Sequence, residues 1–286
     1  MNALLICPSP RPTVRQLTQY APLAAIPFLG EGLVEYWLTH LALNGVKDVR
    51  LLASDRPEQI AGLVGTGARW GLQAQVIREP RELTPAQAEI KYAKELAGPG
   101  QEVIALDHFP GSQQILFSGY GDLYAGLVEW LPKAKTVDRV GIREVSPGIW
   151  VGRNSRISPG AQLRAPCWIG HSVLVGAGTV VGPMAIIEDR AFLEPGAAVS
   201  ASVIGPDTFV GQFAAIENSF ALGDTLVNWK SGMATRVPDA FLLCALRRPV
   251  IARQPGNFLS HLRELYSRYK EDLQVVWKHF LMDKEG

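Results

Sequence analysis

The chain has 286 residues, 47% of them apolar and 19% charged, with a formal net charge of +1. So even a charge balance leaves no electrostatic footprint for nucleic acid or for an acidic membrane, and points to small-molecule or protein partners. Cys7, Cys167 and Cys244 are scattered and odd in number, which argues against a disulfide framework or a thiolate metal site and for a reducing cytoplasm.

From the start of the chain to about residue 107, short β-rich runs at 3–6, 49–53, 73–78 and 102–106 alternate with helical patterns at 31–44, 57–64 and 85–96. Gly45 is placed to end the first helix and Gly98 the last. Strands and helices alternating at this length predict a parallel sheet covered on both faces, with ligands beyond the carboxyl ends of the strands. The loop after Leu106 and the loop after Ile6 are therefore the places to look, the latter first. That loop reads CPSPRPTVRQLTQYAPLAAIP over 7–27, with prolines and arginines but no glycine to cradle a phosphate. A further helical run spans 122–131. The apolar stretch 33–43 is flanked or interrupted by Glu31 and Glu35, and no basic-then-apolar leader opens the chain, so neither a signal peptide nor a spanning helix is expected.

From Val151 an aliphatic residue recurs every six positions: Ile157, Leu163, Ile169, Val175, Val181, Ile187, Leu193 and Val199. After one five-residue step the series resumes at Ile204, Val210, Ile216 and Leu222. Glycine often follows the aliphatic, as at Gly152, Gly170, Gly176 and Gly211, where it is expected to let the backbone bend. A small residue usually lies four beyond it, as at Cys167, Thr179, Ala185, Ala191 and Ala197. This period matches the hexapeptide β-helix, with aliphatics inside, small residues at the corners and about four coils if each holds three sextets.

The third region, 237–286, is apolar over 241–251 but broken by Arg247, Arg248 and Pro249. From Asn257, Phe258, Leu262, Leu265, Tyr269, Leu273, Val276 and Phe280 recur at helical spacing, predicting one long amphipathic helix that covers the solenoid or joins subunits.

Several stretches resemble the sugar-1-phosphate nucleotidyltransferase family. PLAAIPFLGEGLVEYWLTHLALNGVKDVRLLAS, 22–54, is similar to the segment from that family's Lys-Pro motif into its second strand. DRPEQIAGLVGTGARWGLQAQVIREP, 55–80, resembles its helix, glycine turn and third strand, and SASVIGPDTFVGQFAAIENSFALGD, 200–224, its late coils. The resemblance implies a truncated Rossmann-like nucleotidyltransferase domain over 1–145, a left-handed parallel β-helix over 146–236 and a C-terminal helical extension over 237–286. It also implies chemistry in which a sugar phosphate attacks a nucleoside triphosphate, with Mg2+ and with charge neutralised by glycine amides, an arginine and a lysine.

Against the family's Gly-Gly-x-Gly-Thr-Arg-Leu loop, this chain keeps Leu17, Thr18, Pro22 and Pro27. It places Pro8 and Ser9 on the glycine pair, Arg11 on the third glycine, Thr13 on the arginine and Leu23 on the lysine. Proline has no amide hydrogen for a phosphate, so the cradle is dismantled unless Arg11 and Arg15 rebuild it. The resemblance leaves Ser9, Arg11, Thr13 and Thr84 as nucleotide contacts, Arg15 as a catalytic cation and Asp107 as catalytic metal ligand. Only about 40 residues separate Asp107 from the first sextet, too few for the family's sugar-binding half.

Three functions stay open. One is a nucleotidyltransferase-like protein of nucleotide-sugar metabolism, either active or degenerate and serving in binding, regulation or assembly. Another is a hexapeptide acyltransferase with His171, alone among the coils, as general base. The last is a purely structural homo-oligomer built through the β-helix or the C-terminal helix.

Overall fold

The computed structural model describes residues 2–93, 102–134 and 141–246, so Gly98 and the expected helix from Asn257 lie outside the described residues. The α/β layer contains β1 (Asn2–Ile6), α1 (Leu33–Leu43), β2 (Asp48–Ala53), α2 (Pro57–Val64), β3 (Gln73–Arg78), α3 (Pro85–Lys91), β4 (Glu102–Ala105) and α4 (Tyr120–Trp130). Its four strands form one parallel sheet in the order β3-β2-β1-β4. Alternate residues serve opposite faces. Leu5, Leu51 and Ile104 pack with Leu38 of α1 and Ile60 of α2, while Leu4, Ile6 and Leu52 pack with Ala88 of α3 and Tyr92.

The expected helix over 31–44 is shorter at its start. Glu31–Gly32 pairs antiparallel with Pro27–Phe28, so α1 begins only at Leu33, with the Glu35 carboxylate accepting the Gly32 amide at 2.8 Å. Gly45, at φ +78°, terminates it as expected.

Residues 149–222 form a β-helix-like stack of short parallel strands on three faces. The first face holds Ile149–Val151, Cys167–Ile169, Ala185–Ile187, Val203–Ile204 and Ser219–Leu222. The second holds Arg156–Ile157, Leu174–Val175, Phe192–Leu193 and Thr208–Val210. The third holds Gln162–Leu163, Val180–Val181, Ala198–Ser200 and Ala215–Glu217. The repeat aliphatics Ile169, Val175, Val181, Ile187, Leu193, Val199, Ile204 and Val210 line the interior and are buried. Each such burial contributes roughly 1.5–3 kcal/mol before entropy is subtracted.

Two details depart from the sequence reading. Ile204 stacks on Ala221, not Leu222, because the chain turns at Asn218 (φ +51°) and re-enters the first face one residue early. Two of the glycines also serve a different purpose from bending. A Cβ on Gly170 would stand 2.8 Å from the Asp189 nitrogen and one on Gly176 2.5 Å from the Pro195 nitrogen, so glycine is demanded by the next coil. Left-handed corners fall on Asn154, Ser172, Arg190 and Asp207, at φ +51° to +60°, and the bending role expected of glycine holds at Gly182, at φ +101°.

The first face is not a solvent surface. Its outward row, Trp150, Trp168, Ile186, Val203 and Phe220, is stacked in register and buried in the same core as α1 and α4. Tyr120 and Tyr124 of α4 pack on Phe220 at centroid distances of 5.3 and 6.4 Å, and Tyr124 stacks on Trp229 at 4.4 Å. The hydrophobic core therefore runs unbroken across residue 145. One polar clamp joins it: the Glu188 carboxylate, 1% exposed, accepts the Leu29 amide at 2.5 Å and the Gly30 amide at 2.9 Å. Both donors sit in a turn with positive φ, +54° and +83°, which aims successive amides at one anion.

The stack ends in antiparallel strands, Thr225–Asn228 and Ala234–Arg236 beyond Ser219–Leu222, and Leu243–Ala245 alongside Thr208–Val210. Among the described residues no helix is long and apolar enough to cross a membrane.

Candidate functional site

Strand order reverses between β1 and β4, so the crevice beyond their carboxyl ends is the expected ligand position. The loop leaving β1 starts at that edge. Cys7 and Pro8 are buried, and the chain then makes a 3-10 turn at Pro12–Val14 and a single helical turn at Arg15–Thr18. Val14 and Leu17 are 0% and 1% exposed, so these turns are anchored from beneath. Leu23, on the resembling family's lysine position, is fully buried and makes this segment core.

Ser9 and Arg11 come together on a residue that sequence reasoning did not single out. Glu82, in the loop after β3, accepts the Ser9 amide at 2.8 Å, the Ser9 hydroxyl at 2.6 Å and both terminal nitrogens of Arg11 at 2.6 Å. Arg11 also donates to the Ser9 hydroxyl oxygen at 2.8 Å. Burial alone would raise the Glu82 carboxyl, but the hydrogen bonds from Arg11 and Ser9 and the guanidinium charge hold it below its usual range. Arg11 is correspondingly raised, first by that hydrogen bond and further by the charges of Glu82 and Asp107. Cys7 lies beneath the pair, its thiol pushed up to about 12 by burial and then by Glu82, so it is no thiolate nucleophile.

The remaining expected residues are dispersed. The Thr13 hydroxyl donates to the Phe117 carbonyl at 2.9 Å. Arg15 is exposed on the helical turn, away from the fork that Arg11 makes with Glu82. Thr84 caps α3, its hydroxyl accepting the Gln87 amide at 3.3 Å while the Gln87 Oε1 accepts the Thr84 amide at 3.2 Å. Asp107 lies two residues beyond β4, with its Oδ1 2.6 Å from His108 Nδ1, and the His108 carbonyl accepts Trp37 Nε1 at 2.8 Å. No group of three His, Cys, Asp or Glu among the described residues converges to hold a metal ion. One carboxylate already hydrogen-bonded to a histidine does not fit a resident Mg2+.

His171 sits in the stack, far along the chain from this loop. Its Nδ1 accepts the Arg153 amide at 2.9 Å, and its own amide donates to Asp189 at 2.7 Å. In the neutral ring this leaves the proton on Nε2, so neither nitrogen offers a free lone pair to a substrate.

Glu82 was the residue the sequence could have offered. It opens ELTPAQAE, the run at 82–89 that leads into α3, and is an acidic residue at the carboxyl edge opposite a loop with two arginines. Compared with known proteins, the chain matches no family model and no curated protein.

Proposed function

We propose that this protein is a nucleotidyltransferase-like member of nucleotide-sugar metabolism whose transfer chemistry is lost, and that it acts in binding, regulation or assembly. On this reading the first region is a truncated Rossmann-like nucleotidyltransferase domain and the stack a left-handed parallel β-helix. The observation that carries it is the use of the loop after β1. Positions that would handle a triphosphate are put to other uses: Pro8 and Leu23 are buried, Thr13 donates to the Phe117 carbonyl, and Ser9 and Arg11 are bound to Glu82. Stabilising a phosphoryl-transfer transition state requires donors and cations free to face the ligand, and a leucine at the lysine position supplies neither.

The chain between Asp107 and the stack supports the same reading. It holds α4, whose Tyr120 and Tyr124 face Phe220 and whose phenols are pushed up to about 12 by burial. That segment serves as packing between layers instead of a sugar pocket. An acyltransferase reading is disfavoured because the Nδ1 lone pair of His171 is already engaged.

The test is direct. Purified protein incubated with nucleoside triphosphates, Mg2+ and hexose 1-phosphates is expected to release no pyrophosphate above the uncatalysed rate, and sustained release overturns the reading.

A further inference from the structure

The carboxylate of Glu82 collects four hydrogen bonds from two residues of one loop, all between 2.6 and 2.8 Å. A guanidinium fork, a hydroxyl and a backbone amide converging on one point are the donor set of an oxyanion receptor. The receptor lies at the carboxyl edge of the sheet, between the loops that follow β1 and β3, and this is the edge at which open α/β sheets receive ligands. It is also reachable: the side chains of Arg11 and Glu82 keep 34% and 25% of their surface exposed. Glu82 itself comes from the far side of the sheet order, on the loop between β3 and α3, so its removal from Arg11 need not disturb the loop that carries the donors.

We infer that Ser9 and Arg11 form a receptor for a phosphate group that Glu82 holds shut, an internal anion that a phosphate-bearing ligand must displace. The proposal deepens the functional reading above and rests on it for the choice of phosphate over another anion. A phosphate monoester carries about −1.5 to −2 charges at neutral pH against −1 for the carboxylate, so it is the stronger partner for the same fork. Glu82 has the advantage of tethering, equivalent to a competitor held on the order of millimolar. Glu82 therefore sets a concentration threshold for binding, and the nearby charge of Asp107, which already acts on Arg11, raises that threshold for any anion.

The full chain is titrated calorimetrically with inorganic pyrophosphate, without metal. Glu82→Gln keeps the side-chain shape and removes the competing charge, so affinity is expected to rise about tenfold or more over the wild type. Adding Arg11→Gln to Glu82→Gln is expected to abolish that gain. Equal affinity in wild type and Glu82→Gln, or a gain that survives the loss of Arg11, overturns the proposal. Should Glu82→Gln fail to fold, the Ser9 amide resonance of the wild type decides the matter. A saturable shift on pyrophosphate titration supports displacement, and no shift up to about 100 mM, well above the tethered competitor, overturns it. A nucleoside triphosphate run in parallel separates the sources of the phosphate: tighter binding than pyrophosphate assigns a nucleotide, equal binding a free phosphate. Pyrophosphate release under turnover conditions tests the functional reading separately, whatever these titrations give.

Discussion

The stack and the α/β layer bury their apolar side chains by different rules. In the stack a residue rests on its counterpart one coil away, as Cys167 on Ala185 or Leu193 on Val210, and every coil repeats the arrangement. In the α/β layer the decisive contacts join residues distant in sequence and unlike in kind, such as Ser9 with Glu82 or Trp37 with His108. The repeat gives an outer row stacked in register; the irregular layer gives polar groups that converge at one edge of the sheet. The lesson is that the regular half supplies a platform and the irregular half brings polar side chains together from distant parts of the chain.

The largest effect is expected where the two halves meet. Trp168 is 0% exposed in the row that faces the α/β layer, so Trp168→Ala should cost about 3–5 kcal/mol in urea unfolding. A loss below about 1 kcal/mol, the typical effect of an unremarkable substitution, would break the comparison by making the platform independent of the layer. Next comes Glu188→Gln, which leaves one of the two turn amides, buried Leu29 or half-buried Gly30, without an acceptor and should cost about 1–3 kcal/mol. The amide protons of Leu29 and Gly30 should exchange faster in that variant, and unchanged exchange would remove any role for the clamp.

The smallest effect concerns Glu79, at the end of β3 and 3% exposed, which Lys91 Nζ approaches at 2.6 Å and the Tyr92 hydroxyl also reaches. Burial alone would raise its carboxyl, but hydrogen bonds from Lys91 and Tyr92 and the lysine charge bring it below the ordinary value. Since the folded state holds this proton less tightly than the unfolded one, the contribution is present above the unfolded value and lost as pH falls through the folded value. Lys91 is half exposed, so the wild type should exceed Glu79→Gln by no more than about 1 kcal/mol at pH 7. Unfolding curves recorded from pH 7 down to pH 3 should show that gap closing, and a gap that widens in acid would contradict the pairing.

The same contrast explains what could be read from residues alone. Ile169, Ile187 and Ile204 were legible as interior positions because a six-residue period leaves one inward direction per sextet. The parallel sheet was legible from the alternation of strand and helix patterns, and Gly45 from its place after α1. Ala221 was hidden because Leu222 continues the period and only the turn at Asn218 shows the coil is short. The start of α1 was hidden because Glu31 suits a first helical turn as well as the hairpin it enters. Ser9 and Arg11 could be marked as candidates in a loop without glycine, but not their partner. Pairing Glu82 with them requires knowing that β1 and β3 end at the same edge, separated by β2.

The turn at Leu29 and Gly30 carries a consequence for how the chain is made. Leu29 holds a left-handed backbone that a branched side chain disfavours, and its anchoring carboxylate lies 159 residues further on. At about 5–20 residues per second, synthesis delivers that carboxylate roughly 10–30 s after the turn itself has emerged. The first half of the protein must therefore wait on the ribosome with this corner unsecured, and its final shape is set only when the third coil arrives.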